Sequence, residues 1–270
     1  MNWWESILLG LIQGLTEFLP VSSSGHLVLS QHILGMNEAQ ADVLFEVMLH
    51  FGTILSVFWV YRERIFQLTF GFLTQVKHPS KWETSYKSDD DFRMGIHILI
   101  TMVPTFLVYA LWGSQIEAAF SSPRLAAGML LVTGVLLLLT RLRKAPNGLV
   151  TAPKSMLIGC AQAFAMIPGI SRSGATICAA LYQNVEPEKA ADFSFLMLLP
   201  VVVGATIFKV SEAISQATQA DWALLLLGMV VALFSGIVAI RMVLSFVRKG
   251  RLQYFAFYCF AAGTLGLILI

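Results

Sequence analysis

The sequence predicts an all-α polytopic membrane protein with six transmembrane helices plus two re-entrant helical hairpins, built as an inverted-topology repeat. Of its 270 residues, 57% are hydrophobic and 13% are charged, whereas a soluble domain has about 25% charged residues. Apolar stretches recur along the whole chain, and two of them are broken near the middle by proline, glycine and serine. No soluble domain can be separated from this pattern, so residues 1–270 are expected to form one integral membrane domain.

Six of the apolar stretches are long enough to cross the roughly 30 Å hydrocarbon core of a bilayer as helices. Their approximate limits are Leu44–Tyr61, Met94–Leu111, Leu125–Thr140, Ala190–Phe208, Trp222–Ile240 and Leu252–Ile270. The polar interval from Lys77 to Arg93 carries mixed charges and turn-forming residues, so we expect a solvated loop there. An even number of crossings puts both chain termini on the same side of the membrane.

The other two apolar stretches are interrupted. Trp3–Leu34 is broken by LPVSSSGH, and Ser155–Tyr182 is broken by PGISRSGAT. Backbone groups at such a break find no hydrogen-bond partners in lipid, so the break must be buried in protein or line a wet cavity. Each half of these stretches has about 10–15 residues, too few to cross a bilayer alone. We therefore expect two re-entrant helical hairpins.

Basic residues predict the orientation of the chain in the membrane. The loops at 62–93, 141–154 and 248–251 fall on one side and carry most of the Lys and Arg residues, whereas the other side has Arg124 and Lys209. The basic side is expected to be cytoplasmic, so the first hairpin enters from outside and the second from the cytoplasm. The basic residues lie at segment ends and form no stripe, so nucleic acid is not an expected partner.

An internal repeat relates the two halves of the chain. With an offset of 149 residues, identical residues coincide as follows: Gly10, Gln13, Ser22, Ser24, Gly25, Ala41, Met48 and Leu49 fall on Gly159, Gln162, Ser171, Ser173, Gly174, Ala190, Met197 and Leu198. The repeat units run from about 1 to 144 and from about 150 to 270. Each unit has three spans, and this odd number inverts the second unit in the membrane. The two broken loops can then meet near the midplane, although chance identity among small residues is the alternative.

The first break carries a carboxylate, three hydroxyls and an imidazole. Gln13 and Glu17 are four residues apart and share a helix face, and Ser22–Ser24 and His26 follow them. A hydroxyl beside a base is the minimum for nucleophilic attack on phosphorus, with His26 or Glu17 removing the proton. Any one of the serines can instead cap a helix, and a membrane histidine can be a helix-packing residue.

The second break places an arginine at the start of a half-helix. Such a start presents free N–H groups and a positive dipole end to an anion, and the Arg172 guanidinium adds a forked donor suited to phosphate. The alternative is that Arg172 only clamps the two hairpins together through Glu17. The surrounding hydroxyls and glycine favour a phosphate site; they belong to Ser171, Ser173, Gly174 and Thr176.

Three further ionisable residues lie in or beside the apolar segments. Glu46 and His50 share a face of the first span, and Asp192 lies at the start of the fourth. We expect these residues to support the site or to lie at helix interfaces, and an interface is the favoured interpretation of Asp192.

The stretches Gln13–His26 (QGLTEFLPVSSSGH) and Pro168–Thr176 (PGISRSGAT) resemble the two signature stretches of the undecaprenyl-diphosphate phosphatases, the bacitracin-resistance family. The chain length, the span pattern and the repeat also resemble that family from end to end. In the family the first motif reads Glu or Gln, three residues, then Glu. Here the first of these positions is Gln13, which has no charge, so Glu17 is the only carboxylate of the motif that can act as a metal ligand or base.

The resemblance implies hydrolysis of undecaprenyl diphosphate to the monophosphate carrier used in cell-wall synthesis, in the bacterial plasma (inner) membrane. It also implies a divalent cation, Mg²⁺ or Ca²⁺, with Glu17 as a ligand. By the same match Ser23 is the candidate nucleophile, His26 the acid/base or rival nucleophile, and Arg172 the diphosphate clamp. The substrate-binding residues implied are Gln13, Ser22, Ser24, Ser171, Ser173, Gly174 and Thr176.

A long prenyl tail cannot leave the bilayer, so the site must open sideways between helices and admit water from one face. We expect the outer, periplasmic face, because the Glu17 hairpin enters from there. The main alternative is a transporter of a polyprenyl phosphate or another anion, since inverted repeats with broken helices are a common transporter design. The expected partners are the polyprenyl diphosphate and membrane lipid, and a homodimer is left open.

Overall fold

The computed structural model describes residues 2–33, 43–142, 147–216 and 221–270, with the backbone alone for Val43 and for 205–216. This described part is helical and contains no strand. Its helices are α1 (Trp3–Phe18), α2 (Ser23–Ile33), α3 (Val43–Val76), α4 (Trp82–Ser88), α5 (Asp90–Ala119), α6 (Pro123–Leu139), α7 (Ala152–Phe164), α8 (Arg172–Tyr182), α9 (Pro187–Gln216), α10 (Trp222–Arg248) and α11 (Gln253–Leu269). Short 3-10 turns at Pro79–Lys81 and Thr140–Leu142 complete it.

Four segments of the described chain are long and apolar enough to cross a membrane, judged by length and composition. They are Leu44–Val76, Asp90–Ala119, Pro123–Leu142 and Trp222–Arg248, and α11 is a shorter apolar helix. Several such helices in one all-helical chain are the pattern of a polytopic membrane protein. The coarse fold class predicted from the sequence is therefore confirmed.

The predicted loop from Lys77 to Arg93 is wrong in part, because α4 lies inside it and α5 begins at Asp90. Glu83 and Lys87 form an i,i+4 ion pair at 2.6 Å that supports α4. The Asp89 side chain accepts hydrogen bonds from the N–H groups of Asp91 and Phe92 and caps α5. Polar composition alone does not distinguish a short charged helix from a loop.

Two predicted spans are parts of longer helices with a kink. The span predicted to end at Tyr61 continues to Val76, and Tyr61 itself has a non-helical φ of −107°. The span predicted to end at Leu111 continues through α5, and Trp112 is non-helical with φ −131°. Hydropathy therefore located the first apolar part of each helix, while Arg62–Arg64 in α3 and Gly113–Gln115 in α5 interrupt the apolar run before the extensions.

The remaining spans agree with the structure to different degrees. Leu125–Thr140 and Leu252–Ile270 correspond closely to α6 and α11, and Trp222–Ile240 is the first part of α10. Ala190–Phe208 falls within α9, of which the side chains beyond residue 204 lie outside the described set. Leu34, Ala41, residues 143–146 of the basic loop, and the side chain of Lys209 also lie outside it.

Both interrupted stretches are helices broken at their predicted positions. The first consists of α1 and α2, and the second of α7 and α8. Both breaks lie in the protein interior, since Val21 is 2% exposed and Ile170 is 1% exposed. This burial satisfies the requirement that non-helical backbone at membrane depth be surrounded by protein.

The first helix of each interrupted stretch packs against a long helix from the other half of the chain, α1 on α10 and α7 on α5. Glycine allows the close approach in both pairs. A Cβ added to Gly10 would lie 2.7 Å from the Gly228 carbonyl oxygen, and one added to Gly159 would lie 2.8 Å from the Thr101 Cα. Gly10 and Gly159 coincide at the 149-residue offset, and both serve the close packing of two helices.

Candidate active site

The first break follows α1 and is shaped by a proline. Pro20 disfavours helical backbone at the preceding residue, and Leu19 is extended, with φ −59° and ψ 140°. Ser22 then takes a positive φ of 71°, and its hydroxyl accepts a hydrogen bond from the Gly25 N–H at 3.2 Å. Ser22 therefore caps α2, and Ser23 is the first residue of that helix.

The second break ends in the same kind of cap. Gly169 has φ +93°, a region open mainly to glycine, and the Ser171 hydroxyl accepts from the Gly174 N–H at 3.0 Å. Thr133 of α6 holds the turn, because its hydroxyl donates to the Gly169 carbonyl at 2.9 Å and accepts from the Ser171 N–H at 3.0 Å. Arg172 is the first residue of α8.

The two breaks are in contact. A Cβ added to Gly25 would lie 2.9 Å from the Gly169 Cα. The backbones of the two breaks are therefore in direct contact, and this position has room only for the hydrogen atom of glycine. The Ser173 hydroxyl donates to the Leu19 carbonyl at 3.2 Å, which ties the second break to the first. The sequence predicts this meeting, and the polar residues of both breaks accordingly form one site.

Glu17 is the centre of the site. Its side chain is 5% exposed and forms an ion pair with Arg172, whose Nη2 donates to Oε1. The other carboxylate oxygen, Oε2, accepts from the Ser23 hydroxyl at 2.5 Å and from Gln13 Nε2 at 3.1 Å. One buried carboxylate thus binds a hydroxyl from the first break and a guanidinium from the second.

Two polar atoms beside Glu17 are buried without a hydrogen-bond partner among the described residues. They are Arg172 Nη1, a donor, and Gln13 Oε1, an acceptor. A buried polar group without a hydrogen bond is unfavourable by about 1–3 kcal/mol, and such groups in a native structure call for a ligand, an ion or water as partner. Both atoms lie on residues that already contact the carboxylate. Arg172 Nη1 can therefore donate to an anion, and Gln13 Oε1 can bind a cation, beside Glu17.

His26 has a partner on each ring nitrogen. Its Nδ1 lies 2.7 Å from the Ser22 carbonyl oxygen, and its Nε2 lies 2.8 Å from the Tyr258 hydroxyl. Because a carbonyl only accepts, Nδ1 carries the proton and Nε2 accepts from the tyrosine. The two rings also stack, with centroids 5.5 Å apart and planes 13° from parallel. His26 is therefore fixed in one tautomer, while the Ser23 hydroxyl is bound to Glu17.

The flanking hydroxyls of the two breaks are arranged alike. Ser22 Oγ lies 3.3 Å from Ser24 Oγ, and Ser171 Oγ lies 3.2 Å from Ser173 Oγ. Thr176 has different contacts. Its hydroxyl donates to the Arg172 carbonyl oxygen at 2.8 Å and lies 2.6 Å from the Ser194 hydroxyl. The serines border the site, whereas Thr176 supports α8 against α9. The predicted residue Gly174 contributes its N–H to the Ser171 cap.

The three supporting residues divide between two places. His50 lies in α3, and its Nδ1 bonds the Glu46 carbonyl oxygen at 2.8 Å. Glu46 also accepts from Gln31 Nε2 at 3.3 Å. Asp192 is bound instead by the Tyr61 hydroxyl at 2.8 Å, between α9 and α3, which agrees with its interpretation as an interface residue.

Two residues that shape the site were not predicted from the sequence. Thr133 lies in α6 and Tyr258 in α11, and neither belongs to a local motif. A single threonine or tyrosine in an apolar helix has no neighbouring pattern that distinguishes it from a packing residue. Only the three-dimensional contact shows that Thr133 holds the second break and Tyr258 holds the histidine.

The donor set beside Glu17 fits a divalent cation shared with a phosphate. Within the described residues there is no cluster of three or more His, Cys, Asp and Glu side chains that could form a metal site of protein ligands alone. Mg²⁺ typically binds through one or two carboxylates together with substrate phosphates. The Glu17 carboxylate and the unpaired Gln13 Oε1 supply oxygens of the type such a cation uses.

Comparison with known proteins identifies the family. The chain matches the family model described as "Bacitracin resistance protein BacA" over residues 6–265. It is 54% identical over 270 residues to an undecaprenyl-diphosphatase of Salinibacter ruber, with 100% of each chain covered. An undecaprenyl-diphosphatase of Desulfatibacillum aliphaticivorans is 42% identical over 275 residues, with 99% of each chain covered.

A further undecaprenyl-diphosphatase, from Methanobrevibacter smithii, is 35% identical over 271 residues, covering 98% of this chain and 96% of the relative. These matches include both breaks and the helices that hold them, so the residues around Glu17 lie within the shared region. With its two contacting breaks and this full-length similarity, the chain belongs to the BacA family of bacitracin resistance proteins.

Proposed function

We propose that this chain hydrolyses undecaprenyl diphosphate to undecaprenyl phosphate and inorganic phosphate, which returns the lipid carrier to cell-wall synthesis. One observation carries the proposal: Ser23 and Arg172 bind the two oxygens of the same buried carboxylate, Glu17. A hydroxyl nucleophile, a base and a phosphate-binding cation thereby share one site. The full-length relatives named above are undecaprenyl-diphosphatases, which supports the same substrate.

In the first step, Ser23 attacks the terminal phosphorus of the diphosphate. The Ser23 hydroxyl already donates to Glu17 at 2.5 Å, so Glu17 is placed to take its proton as the new Oγ–P bond forms. The bond from that phosphorus to the bridging oxygen breaks, and the bridging oxygen departs with undecaprenyl phosphate. Glu17 then passes its proton to the departing phosphate.

In the second step, water releases the phosphoryl group from Ser23. Glu17 takes a proton from the attacking water and returns it to the Ser23 oxygen, so the enzyme recovers its starting state. His26 remains the rival nucleophile and the alternative acid. Its accepting nitrogen is engaged by Tyr258 at 2.8 Å, so Ser23 is the favoured nucleophile.

Arg172 neutralises the charge of the diphosphate. Its Nη2 is bound to Glu17, whereas its Nη1 is buried and unpaired, so a phosphate oxygen would satisfy the remaining donor. The N-termini of α2 and α8 meet at the same point, and the first N–H groups of a helix have no partner within the helix. Together these donors stabilise the negative charge that develops on the phosphoryl oxygens.

A divalent cation, Mg²⁺ or Ca²⁺, would be held by Glu17, by Gln13 Oε1 and by the diphosphate itself. When bound it supplies neutralising charge and polarises the phosphoryl oxygen. Gln13 lacks a charge, so the affinity of the free protein for the cation is low and rises with substrate. The direct measurement is Mn²⁺ electron paramagnetic resonance with a non-hydrolysable diphosphate, in which Gln13→Leu should weaken cation binding and Gln162→Leu should not.

The finer membrane arrangement follows from the same elements. The six spans and two re-entrant hairpins form two inverted units, and α2 and α8 begin 149 residues apart with equal lengths of 11 residues. The basic loops face the cytoplasm of the plasma (inner) membrane, and the site opens to the outer face. The prenyl chain enters sideways between helices, since it cannot leave the bilayer.

Leaflet-specific cleavage tests this orientation. A diphosphate lipid confined to one leaflet of proteoliposomes of known protein orientation should be cleaved from the leaflet that corresponds to the outer face. Cleavage confined to the cytoplasmic leaflet would overturn the orientation and leave the chemistry of Glu17 and Ser23 untouched.

Transport of a polyprenyl phosphate is the competing function, because broken helices that meet within a membrane protein also form transport sites. Phosphate release from a soluble short-chain prenyl diphosphate by detergent-purified protein separates the two. A hydrolase releases phosphate without any membrane, whereas a pure transporter releases none.

The same assay tests the site when it is run on variants with and without a chelator. Ser23→Ala, Glu17→Ala and Arg172→Ala should each lose most phosphate release, and the chelator should abolish release by the unaltered protein. Ser122→Ala is the control, since it removes a serine hydroxyl that caps α6 by accepting from the Leu125 N–H and leaves the hydrogen bonds to Glu17 in place. Full activity in all three site variants would overturn the proposed chemistry.

A further inference from the structure

One face of α10 points away from the protein along most of its length. Leu226, Val230, Phe234 and Val238 are four residues apart and are 47%, 40%, 63% and 58% exposed. Side chains at this spacing lie on one side of a helix. They form an apolar stripe, which is the surface that a membrane helix presents to acyl chains.

The same face ends in basic and hydroxyl side chains. Arg241, Ser245 and Arg248 continue the stripe at spacings of three and four residues, and with Leu244 and Lys249 they line an open recess of about 450 Å³. Arg241 and Lys249 are exposed. Among the described residues, the lining of this recess contains cations and no carboxylate.

Arg241 is the unusual member of this group. It lies two turns before Arg248, about 10 Å deeper along the helix axis, and a charge at such depth is unfavourable unless it reaches a partner or the interface. Arg248 pairs with Glu188 at 3.0 Å, whereas Arg241 has no ion pair or hydrogen bond within the described part of the chain. Arg241 thus lies where the apolar stripe ends, at the level at which an arginine side chain can reach a lipid phosphate.

We propose that this face of α10 binds an anionic phospholipid, with the phosphate held by Arg241, Ser245 and Arg248 and one acyl chain lying along the apolar stripe. The guanidinium fork of Arg241 matches two phosphate oxygens, and the Ser245 hydroxyl adds a neutral donor between the two arginines. Lys249 at the mouth of the recess attracts the head group from the membrane surface. The lipid phosphate supplies a counter-charge for Arg241, which has none among the described residues.

This lipid site is separate from the Glu17 site and does not depend on the proposed hydrolysis. The opposite face of α10 packs against α1, where Gly228 and Ala232 contact Gly10 and Gly14. The helix itself therefore stands between the lipid stripe and the first broken stretch. A lipid bound on this face acts on the protein through α10, as a structural partner and not as a substrate.

Native mass spectrometry of the full chain in a neutral detergent tests the proposal. Phosphatidylglycerol and phosphatidylcholine with the same acyl chains are titrated in turn, and we expect tighter retention of one phosphatidylglycerol. Replacing both cations, Arg241→Gln with Arg248→Gln, should lower its apparent affinity about 25-fold, or about fivefold for each charge removed. A matched double variant, Arg62→Gln with Lys87→Gln, removes two exposed charges elsewhere and should stay within twofold of the unaltered protein.

The remaining outcomes overturn the proposal. Equal affinity for the two lipids would remove the role of charge, and an equal loss in the Arg62 and Lys87 control would mean that charge acts non-specifically. Displacement of phosphatidylglycerol by millimolar inorganic phosphate would indicate a free-anion site instead of a lipid site. If the double variant does not fold, Arg241→Lys is used, which keeps the charge and loses the fork; unchanged affinity in that variant would overturn the assignment of Arg241.

Discussion

The two breaks use one backbone design and carry different side chains. In each, a serine caps the following half-helix and accepts a hydrogen bond from a glycine N–H, at 3.2 Å in the first break and 3.0 Å in the second. The residue between the paired serines is Ser23 in the first break and Arg172 in the second. Both of these residues bind the Glu17 carboxylate, on different oxygens.

The comparison extends to the other reactive positions. At the 149-residue offset Glu17 and His26 coincide with Met166 and Ala175, so the carboxylate and the imidazole occur only in the first break. The shared cap supplies two converging helix N-termini, which suit an anion whatever the side chains are. The two breaks thus share a backbone geometry, and in the proposed function the few unlike residues separate the nucleophile and base, Ser23 and Glu17, from the phosphate-binding Arg172.

The largest effect is expected for Glu17→Gln, which keeps the shape of the side chain and removes the charge that both breaks bind. Ser23 then loses its base and Arg172 its counter-ion, so kcat for phosphate release should fall about 10³-fold. Glu63→Gln makes the same change at a carboxylate whose side chain is 84% exposed and should leave kcat within twofold. Comparable activity in the two variants would contradict the central role of Glu17.

Arg172→Lys should come next. Lysine keeps the positive charge but cannot bind Glu17 and a phosphate oxygen through two nitrogens of one rigid plane. We expect kcat/KM to fall about 10²-fold because the diphosphate is misplaced.

The control for Arg172→Lys is Arg64→Lys, since Arg64 also pairs with a carboxylate, Asp91, at 2.5 Å, on helices remote in sequence from both breaks. Its kcat/KM should be close to that of the unaltered protein. Equal losses in the two lysine variants would mean that Arg172 serves only as a clamp between hairpins.

Much of this site could be predicted from the sequence, because its residues lie in two contiguous motifs. The four-residue spacing of Gln13 and Glu17 and the position of Arg172 at a helix start are local features. The pairing of Ser23 with Glu17, in preference to His26, could not be predicted, since it depends on how α2 turns after Pro20. The same limit applies to Tyr258, which reaches the first break from the last helix.

Tyr258→Phe should have a smaller effect on activity. Phenylalanine keeps the stacked ring and loses the hydrogen bond to His26 Nε2; because His26 assists only as the alternative acid beside Glu17, kcat should fall by no more than about fivefold to tenfold, with KM unchanged. Tyr254→Phe on the same helix removes a hydroxyl from a ring that contacts Phe246 and is the matched control. A change in KM alone, or equal effects of both variants, would mean that Tyr258 does not position His26.

Gly169→Ala should lower stability more than it changes chemistry. The residue has φ +93°, and an added Cβ would lie 2.7 Å from Met129 Cβ, so the thermal unfolding transition in detergent should reveal a loss of about 1–3 kcal/mol. Gly128→Ala, one residue before Met129, meets nothing within 4 Å and should be neutral or slightly stabilising. Equal melting temperatures would show that the second break tolerates a side chain at its tightest point.

The fold was predictable where hydropathy determines it and less so at the polar ends of helices. The apolar parts of α3, α5 and α10 were identified, but their continuation to Val76, Ala119 and Arg248 was not. Each extension begins with charged or small polar residues that interrupt the apolar run: Arg62–Arg64 in α3, Gly113–Gln115 in α5 and Arg241 in α10. The kinks at Tyr61 and Trp112 likewise have no proline or glycine at the residue itself.

The proposed hydrolysis requires the two breaks to act together on one phosphate beside Glu17. A double-mutant cycle on kcat/KM with Ser23→Ala and Arg172→Lys measures this directly, because residues that act as one unit are not additive. We predict that the fold-decrease in kcat/KM of the double variant is at least about tenfold smaller than the product of the fold-decreases of the two single variants. Losses that multiply would mean that Ser23 and Arg172 act independently, and would contradict a single site shared by both breaks.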